Sequence, residues 1–128
     1  MLRGVLLVIF MAIFTTPATA LVKYEDRTHT LSVGGNTTKP QVMAALFVIR
    51  AHDVSTVILW GNGGDFYAGL TLGHALKKEG VNVVIPTGKN CISACAIAAL
   101  AGEKVMIDGA LLFHRPYIGG MAHSTTIE

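Results

Sequence analysis

Residues 56–114 read TVILWGNGGDFYAGLTLGHALKKEGVNVVIPTGKNCISACAIAALAGEKVMIDGALLFH. Short apolar runs at 56–59, 81–85, 104–107 and 110–114 have the length and β-branched content of buried strands. Between the first two lies a glycine loop, WGNGGD, and then a helical pattern that stops at Gly80, a favourable residue just past a helix end. That pattern carries Gly69, Leu72, Gly73 and Leu76 on one face, and such small residues predict close packing against the sheet. After the second strand, the loop 86–90 leads into a small-residue helix expected over residues 91–101. The last two runs are joined by Asp108-Gly109, a strong turn signal.

Working outward, residues 28–33 have strand character, and Gly34, Gly35 and Asn36 are expected to break it. Thr38 and Gln41 form a T-x-x-Q capping box with Pro40 in the first turn, predicting a helix to about Ala51. Strands therefore alternate with helices. The expected fold class is α/β with a mainly parallel sheet and flanking helices.

The start of the chain reads differently. Arg3 precedes an uninterrupted apolar run at 5–14, and Ala18-Thr19-Ala20 fits the small-x-small pattern of a signal peptidase site. Residues 1–20 are expected to be a signal peptide and 21–128 the domain, exported to the periplasm or secreted. The competing expectation is membrane association through an uncleaved leader, although the run is shorter than the roughly 20 residues that span a bilayer. A formal charge of +2 with no basic stripe gives no indication of nucleic-acid binding. Cys91 and Cys95 are expected on one helical face. They read as two buried thiols, as a local disulfide, or as half of a metal site that lacks further ligands.

Three features could carry chemistry. The loop Asn62-Gly63-Gly64-Asp65 follows a buried strand, where α/β folds place ligands, and two glycine amides can approach a developing oxyanion. It also reads as a tight turn. Ser93 lies where a loop meets a helix, so its hydroxyl can be exposed there, or it can simply cap the helix. His114 ends an apolar strand, which can hold an imidazole of suitable basicity rigidly at a cleft, or it can be a solvated strand-end histidine. His29, His52, His74 and His123 show no comparable setting.

Taken in order, strand, Gly63-Gly64, a helix with Gly69, Ser93-Ala94 at a helix start and a strand ending in His114 resemble the Clp protease proteolytic subunit. The C-x-S-A-C form is similar to the predicted periplasmic ClpP-like branch of the ClpP/crotonase superfamily. The resemblance covers nearly half the chain. It implies a serine peptidase acting on a peptide or protein substrate, with Ser93 as nucleophile, His114 as base, and the Gly64 and Ala94 amides as oxyanion hole. It implies no cofactor and no metal, and is compatible with a homo-oligomer. The family's acidic third residue has no convincing match. Asp108 precedes His114 within a turn, Glu128 is terminal, and Asn62 stands where the family often has proline. The family's later helices have no counterpart, so a truncated domain or an inactive binding or assembly module are the alternatives.

Residues 61–72, GNGGDFYAGLTL, are also similar to the acyl-CoA hydratase (crotonase) loop. There an Ala-Gly pair, here Ala68-Gly69, supports a thioester oxyanion.

Overall fold

The structure is a computed structural model, and it describes residues 20–114. The leader at residues 1–19, the tail after His114 and Glu128 lie outside the described residues. No helix among those described is long and apolar enough to cross a membrane.

The main sheet is built from β1 (Ala20–Glu25), β2 (Thr30–Thr37), β3 (Thr56–Leu59), β5 (Asn82–Ile85) and β7 (Val105–Ile107), in that spatial order. A two-residue strand, β4 (Gly63–Gly64), adds to β2. All pairings are parallel except β1 with β2. The register aligns Leu31 with Val57 and Val33 with Leu59, and Val57 in turn with Val83. Successive strand residues point to opposite faces, and here one face is buried while its alternates, such as Ser32, Ile58 and Val84, are half-buried.

The helices α1 (Lys39–Ala51), α2 (Phe66–Lys78) and α3 (Ala94–Ala99) supply the other half of the core. Val42, Leu46, Leu72, Leu76 and Ala98 join Leu31, Val33, Val57, Val83 and Ile85 in one buried cluster. Full burial of each large aliphatic side chain contributes about 1.5–3 kcal/mol. The fold class read from the sequence, α/β with a mainly parallel sheet and flanking helices, is the one observed.

Four local expectations fail, each for a tertiary reason. Gly34, Gly35 and Asn36 do not break β2, which runs to Thr37. A side chain at Gly34 would collide with the Trp60 ring, and one at Gly61 with the Gly35 carbonyl, so these glycines admit a crossing chain. The capping box is half-formed. Thr38 accepts from the Gln41 N–H at 3.2 Å, but the Gln41 side chain is buried and donates instead to the Gly34 carbonyl at 2.7 Å. The Gly69–Gly73 face packs against α3 rather than the sheet, since a Cβ on Gly69 would lie 2.5 Å from the Ala94 carbonyl oxygen.

The fourth concerns the last two strands. Asp108-Gly109 makes no hairpin: β7 pairs with β5, whereas β8 (Ala110–Leu112) pairs in parallel with β6 (Asn90–Ile92) in a separate two-stranded sheet. The Asp108 and Gly109 amides both donate to the Ile85 carbonyl, and a Cβ on Gly109 would strike the Pro86 and Lys89 carbonyls. Glycine is needed there because two backbones cross. β6 also removes Cys91 from the expected helix. Cys91 on the strand and Cys95 on α3 have Cα atoms 5.2 Å apart and form a disulfide across Ser93.

Candidate active site

Ser93 sits between β6 and α3 with φ 57° and ψ −116°. These are the angles of the second residue of a type II′ turn, a conformation ordinarily left to glycine. A side-chain hydrogen bond to the start of α3 would mark a capping serine, and Ser93 makes none. The backbone around it is held on both sides. Its N–H donates to the Leu112 carbonyl at 2.9 Å, and its carbonyl accepts from Ile97 N–H at 3.0 Å. The Cys91–Cys95 disulfide closes the same five-residue turn. A residue in a sparsely populated backbone region persists when its surroundings over-determine it, and this setting has that character.

Gly63 and Gly64 complete the wall opposite. Gly63 has φ 87°, and a Cβ there would lie 2.6 Å from the Ile92 carbonyl oxygen, 2.9 Å from Ser93 Cβ and 3.2 Å from the Ala94 nitrogen. Only glycine lets the loop close over Ser93. The Asp65 N–H donates to the Thr37 carbonyl at 2.8 Å. Alternation of amide directions along a parallel ladder turns the preceding Gly64 N–H to the other edge, away from β2. Ala94 is the first residue of α3, and the first i→i−4 bond of that helix is donated by Ile97, so the Ala94 N–H has no intrahelical acceptor.

Ser93, Gly63, Gly64 and His114 line one cavity of about 600 Å³. His114 is exposed at the end of the segment leaving β8, and β8 is tied to Ser93 through the Leu112 carbonyl. The reversal of direction that a hairpin at Asp108-Gly109 would impose is absent, because β8 runs parallel to β6. The structure therefore brings the serine, the histidine and the glycine loop to one cavity, with Ala94 adjoining it.

The cavity has a second wall that the sequence did not announce: Asn36, Thr37, Thr38 and Lys39. They were missed because β2 was expected to end at Val33; no local signal marks its continuation through two glycines. Among the described residues, Asp65 is the carboxylate that lines the cavity, and its Oδ1 accepts the Ala68 N–H at 3.0 Å as the cap of α2. Asp108 is elsewhere, on the loop after β7. The Ala68-Gly69 pair offers no amides to a ligand: the Ala68 N–H is held by Asp65 Oδ1 and the Gly69 N–H by the Asp65 carbonyl at 3.1 Å. No group of three potential metal-binding side chains occurs among the described residues.

No protein-family model matches the sequence, and no curated protein sequence does. Solved structures do match. Pseudomonas aeruginosa PA4980 superposes with a TM-score of 0.57 at 16% identity, over 87% of this chain and 61% of its own. Pseudomonas aeruginosa DspI superposes with a TM-score of 0.52 at 11% identity, over 80% of this chain and 55% of its own. An enoyl-CoA hydratase/isomerase family member reaches a TM-score of 0.49 at 13% identity, over 70% of this chain and 47% of its own. The chain thus spans between 47% and 61% of the length of these structures, and what it shares with PA4980 and DspI is their fold.

Proposed function

We propose that this protein is an exported serine hydrolase that cleaves peptide bonds in the cavity beside Ser93. The observation that carries the reading is the conformation of Ser93. It occupies a glycine-type backbone region, makes no capping bond and faces a cavity also lined by His114 and Gly64.

In the proposed reaction, Ser93 Oγ attacks the scissile carbonyl carbon as the His114 imidazole takes the hydroxyl proton. The carbonyl oxygen becomes an oxyanion, which the Gly64 and Ala94 amides stabilise as hydrogen-bond donors. His114 returns the proton to the leaving amine as the C–N bond breaks. A water molecule, deprotonated by His114, then hydrolyses the acyl-serine ester and restores the hydroxyl.

The experiment is labelling by a fluorophosphonate, with Ser93→Ala and His114→Ala as controls. The wild type is expected to label, Ser93→Ala not at all, and His114→Ala far more slowly, because nucleophile and base act as a unit worth orders of magnitude in rate. A folded wild type that does not label, or labelling that survives Ser93→Ala, overturns the proposal.

One observation favours a second reading. Two amides at Gly64 and Ala94 would stabilise a thioester oxyanion as well as a peptide one, which is the requirement of acyl-CoA chemistry. Binding of coenzyme A or an acyl-CoA to the unlabelled protein, retained in Ser93→Ala, would favour that reading. Retained fold with neither labelling nor coenzyme A binding would favour a non-catalytic binding or assembly module.

A further inference from the structure

Asn36, Thr37, Thr38 and Lys39 form a wall of the cavity that the proposed reaction leaves unused. Thr37 is 5% exposed, and with Gln41 it is one of two buried polar residues among those described. Gln41 donates to the Gly34 carbonyl, whereas the Thr37 hydroxyl has no hydrogen-bond partner among the described residues. No side-chain oxygen or nitrogen sealed from solvent lacks a partner among those residues. The Thr37 hydroxyl therefore reaches accessible space, and the space that Thr37 lines is the cavity. A nearly buried polar group without an internal partner is costly unless something meets it. The backbone fixes its place: Thr37 pairs with Gly64, and its carbonyl accepts from the Asp65 N–H. Paired strands lie about 4.8 Å apart, so Thr37 stands one strand from the amide expected to hold the scissile carbonyl.

Charge decides what the wall can meet. α1 begins at Lys39 and has no acidic residue in its first turn. The Gln41 N–H is taken by Thr38 Oγ1 and the Val42 N–H by the Thr38 carbonyl, and Pro40 has no N–H. The Lys39 N–H has no intrahelical acceptor, and the ammonium of the same residue makes no ion pair with a described residue. Asp65, the carboxylate that lines the cavity, does not neutralise that wall. Its Oδ1 accepts the Ala68 N–H as the cap of α2, so the positive end of that helix matches it. An unpaired cation, the amino end of a 13-residue helix and an open hydroxyl thus share one wall, and together they suit a carboxylate.

We infer that Thr37 and Lys39 form a carboxylate subsite, by which the protein selects peptides carrying a carboxylate within a residue or two of the bond beside Ser93. The Thr37 hydroxyl and the Lys39 N–H donate to the carboxylate oxygens, and the ammonium supplies the charge. An acidic side chain and a free carboxyl terminus offer the same chemistry. Cleavage of such peptides rests on the hydrolase reading, whereas their binding does not.

The test titrates peptides into Ser93→Ala protein with its disulfide intact and follows backbone amide shifts by NMR. Acetyl-Ala-Ala-Glu-Ala-Ala-amide is compared with its Gln counterpart, and acetyl-penta-alanine acid with its amide, which separates a side-chain carboxylate from a terminal one. At least one acid is expected to bind about five- to tenfold more tightly than its amide, the scale of an exposed ion pair added to a helix-terminus contact. The shifts should centre on residues 36–39 and 64, and the preference should shrink as salt is raised. Lys39→Gln should abolish it. Thr37→Val removes the hydroxyl at nearly constant shape, so it should weaken binding of the acid several-fold while leaving Tm unchanged or raised, since no internal hydrogen bond is lost. A threonine of merely structural importance would lose stability and leave the acid-to-amide ratio intact. Equal affinity of acids and amides, or binding of none of the four peptides, overturns the inference. So does a preference that survives Lys39→Gln, which assigns the charge to His114. Fluorophosphonate labelling of the wild type is read separately: labelling without acid preference removes the subsite alone, and acid preference without labelling removes the hydrolase reading alone.

Discussion

Ser93 offers a sharp test because its backbone and its side chain predict opposite responses to substitution. At φ 57° and ψ −116° its Cβ is disfavoured, and a residue held in such a region costs of order 1–3 kcal/mol. Ser93→Gly relieves that strain but adds about 0.5–1 kcal/mol of conformational entropy to the unfolded chain. The net expectation is stabilisation by about 1 kcal/mol, or roughly 4–8 °C in Tm for a domain of this size. Ser93→Ala keeps the Cβ and loses no capping bond, so it should lie within about 0.5 kcal/mol of wild type, as an unpartnered substitution does. A capping serine behaves otherwise: alanine costs about 1 kcal/mol there and glycine a few tenths. Thermal and urea unfolding of the three oxidised proteins, followed by circular dichroism, separates the two. Ser93→Ala clearly destabilised with Ser93→Gly no better than wild type would refute the strained-elbow reasoning.

Gly69→Val should destabilise by about 1–3 kcal/mol through overpacking, because even a Cβ there would lie 2.5 Å from the Ala94 carbonyl oxygen. As that contact displaces an expected oxyanion donor, fluorophosphonate labelling of the folded fraction should slow as well. Replacing both Cys91 and Cys95 by alanine should cost about 2 kcal/mol in chemical denaturation, the chain-entropy value for so short a loop. Labelling should persist, since a disulfide leaves no thiolate to act as nucleophile; its complete loss in a folded variant would contradict this. The Tyr24 phenol is held above its ordinary value, first by partial burial and then by the charges of Asp26 and Asp53. Its contribution to stability is therefore complete below the ordinary phenol range and lost as pH rises through the folded value. Spectrophotometric titration should show a late-ionising phenol that disappears in Tyr24→Phe.

The sequence by itself determined the α/β class, since alternating apolar strands and helical faces are local patterns that burial must satisfy. It also offered Gly63-Gly64, Ser93 and His114 as candidates for chemistry, but each alone reads equally as a turn, a helix cap or a strand-end histidine, and only their order along the chain resembles the ClpP-like set. β1 was not anticipated, since residues 20–25 carry no strand signal strong enough to separate them from a leader ending at Ala20. Three other matters were decided only in the tertiary structure. Asp108-Gly109 has the composition of a hairpin, yet its glycine serves a crossing with the loop before β6, which sends β8 beside Ser93 instead of back along β7. Gly34 and Gly35 read as a strand end, yet they are glycines because Trp60 and Gly61 lie across them. The i, i+4 cysteines read as one helical face, yet a strand end and a helix start share them, bringing their Cα atoms within disulfide reach. In the two glycine cases the short-range preference is worth at most a kcal/mol or so, whereas an obstructed backbone crossing admits no side chain at all; in all three the deciding fact is a relation between residues that the local sequence does not contain.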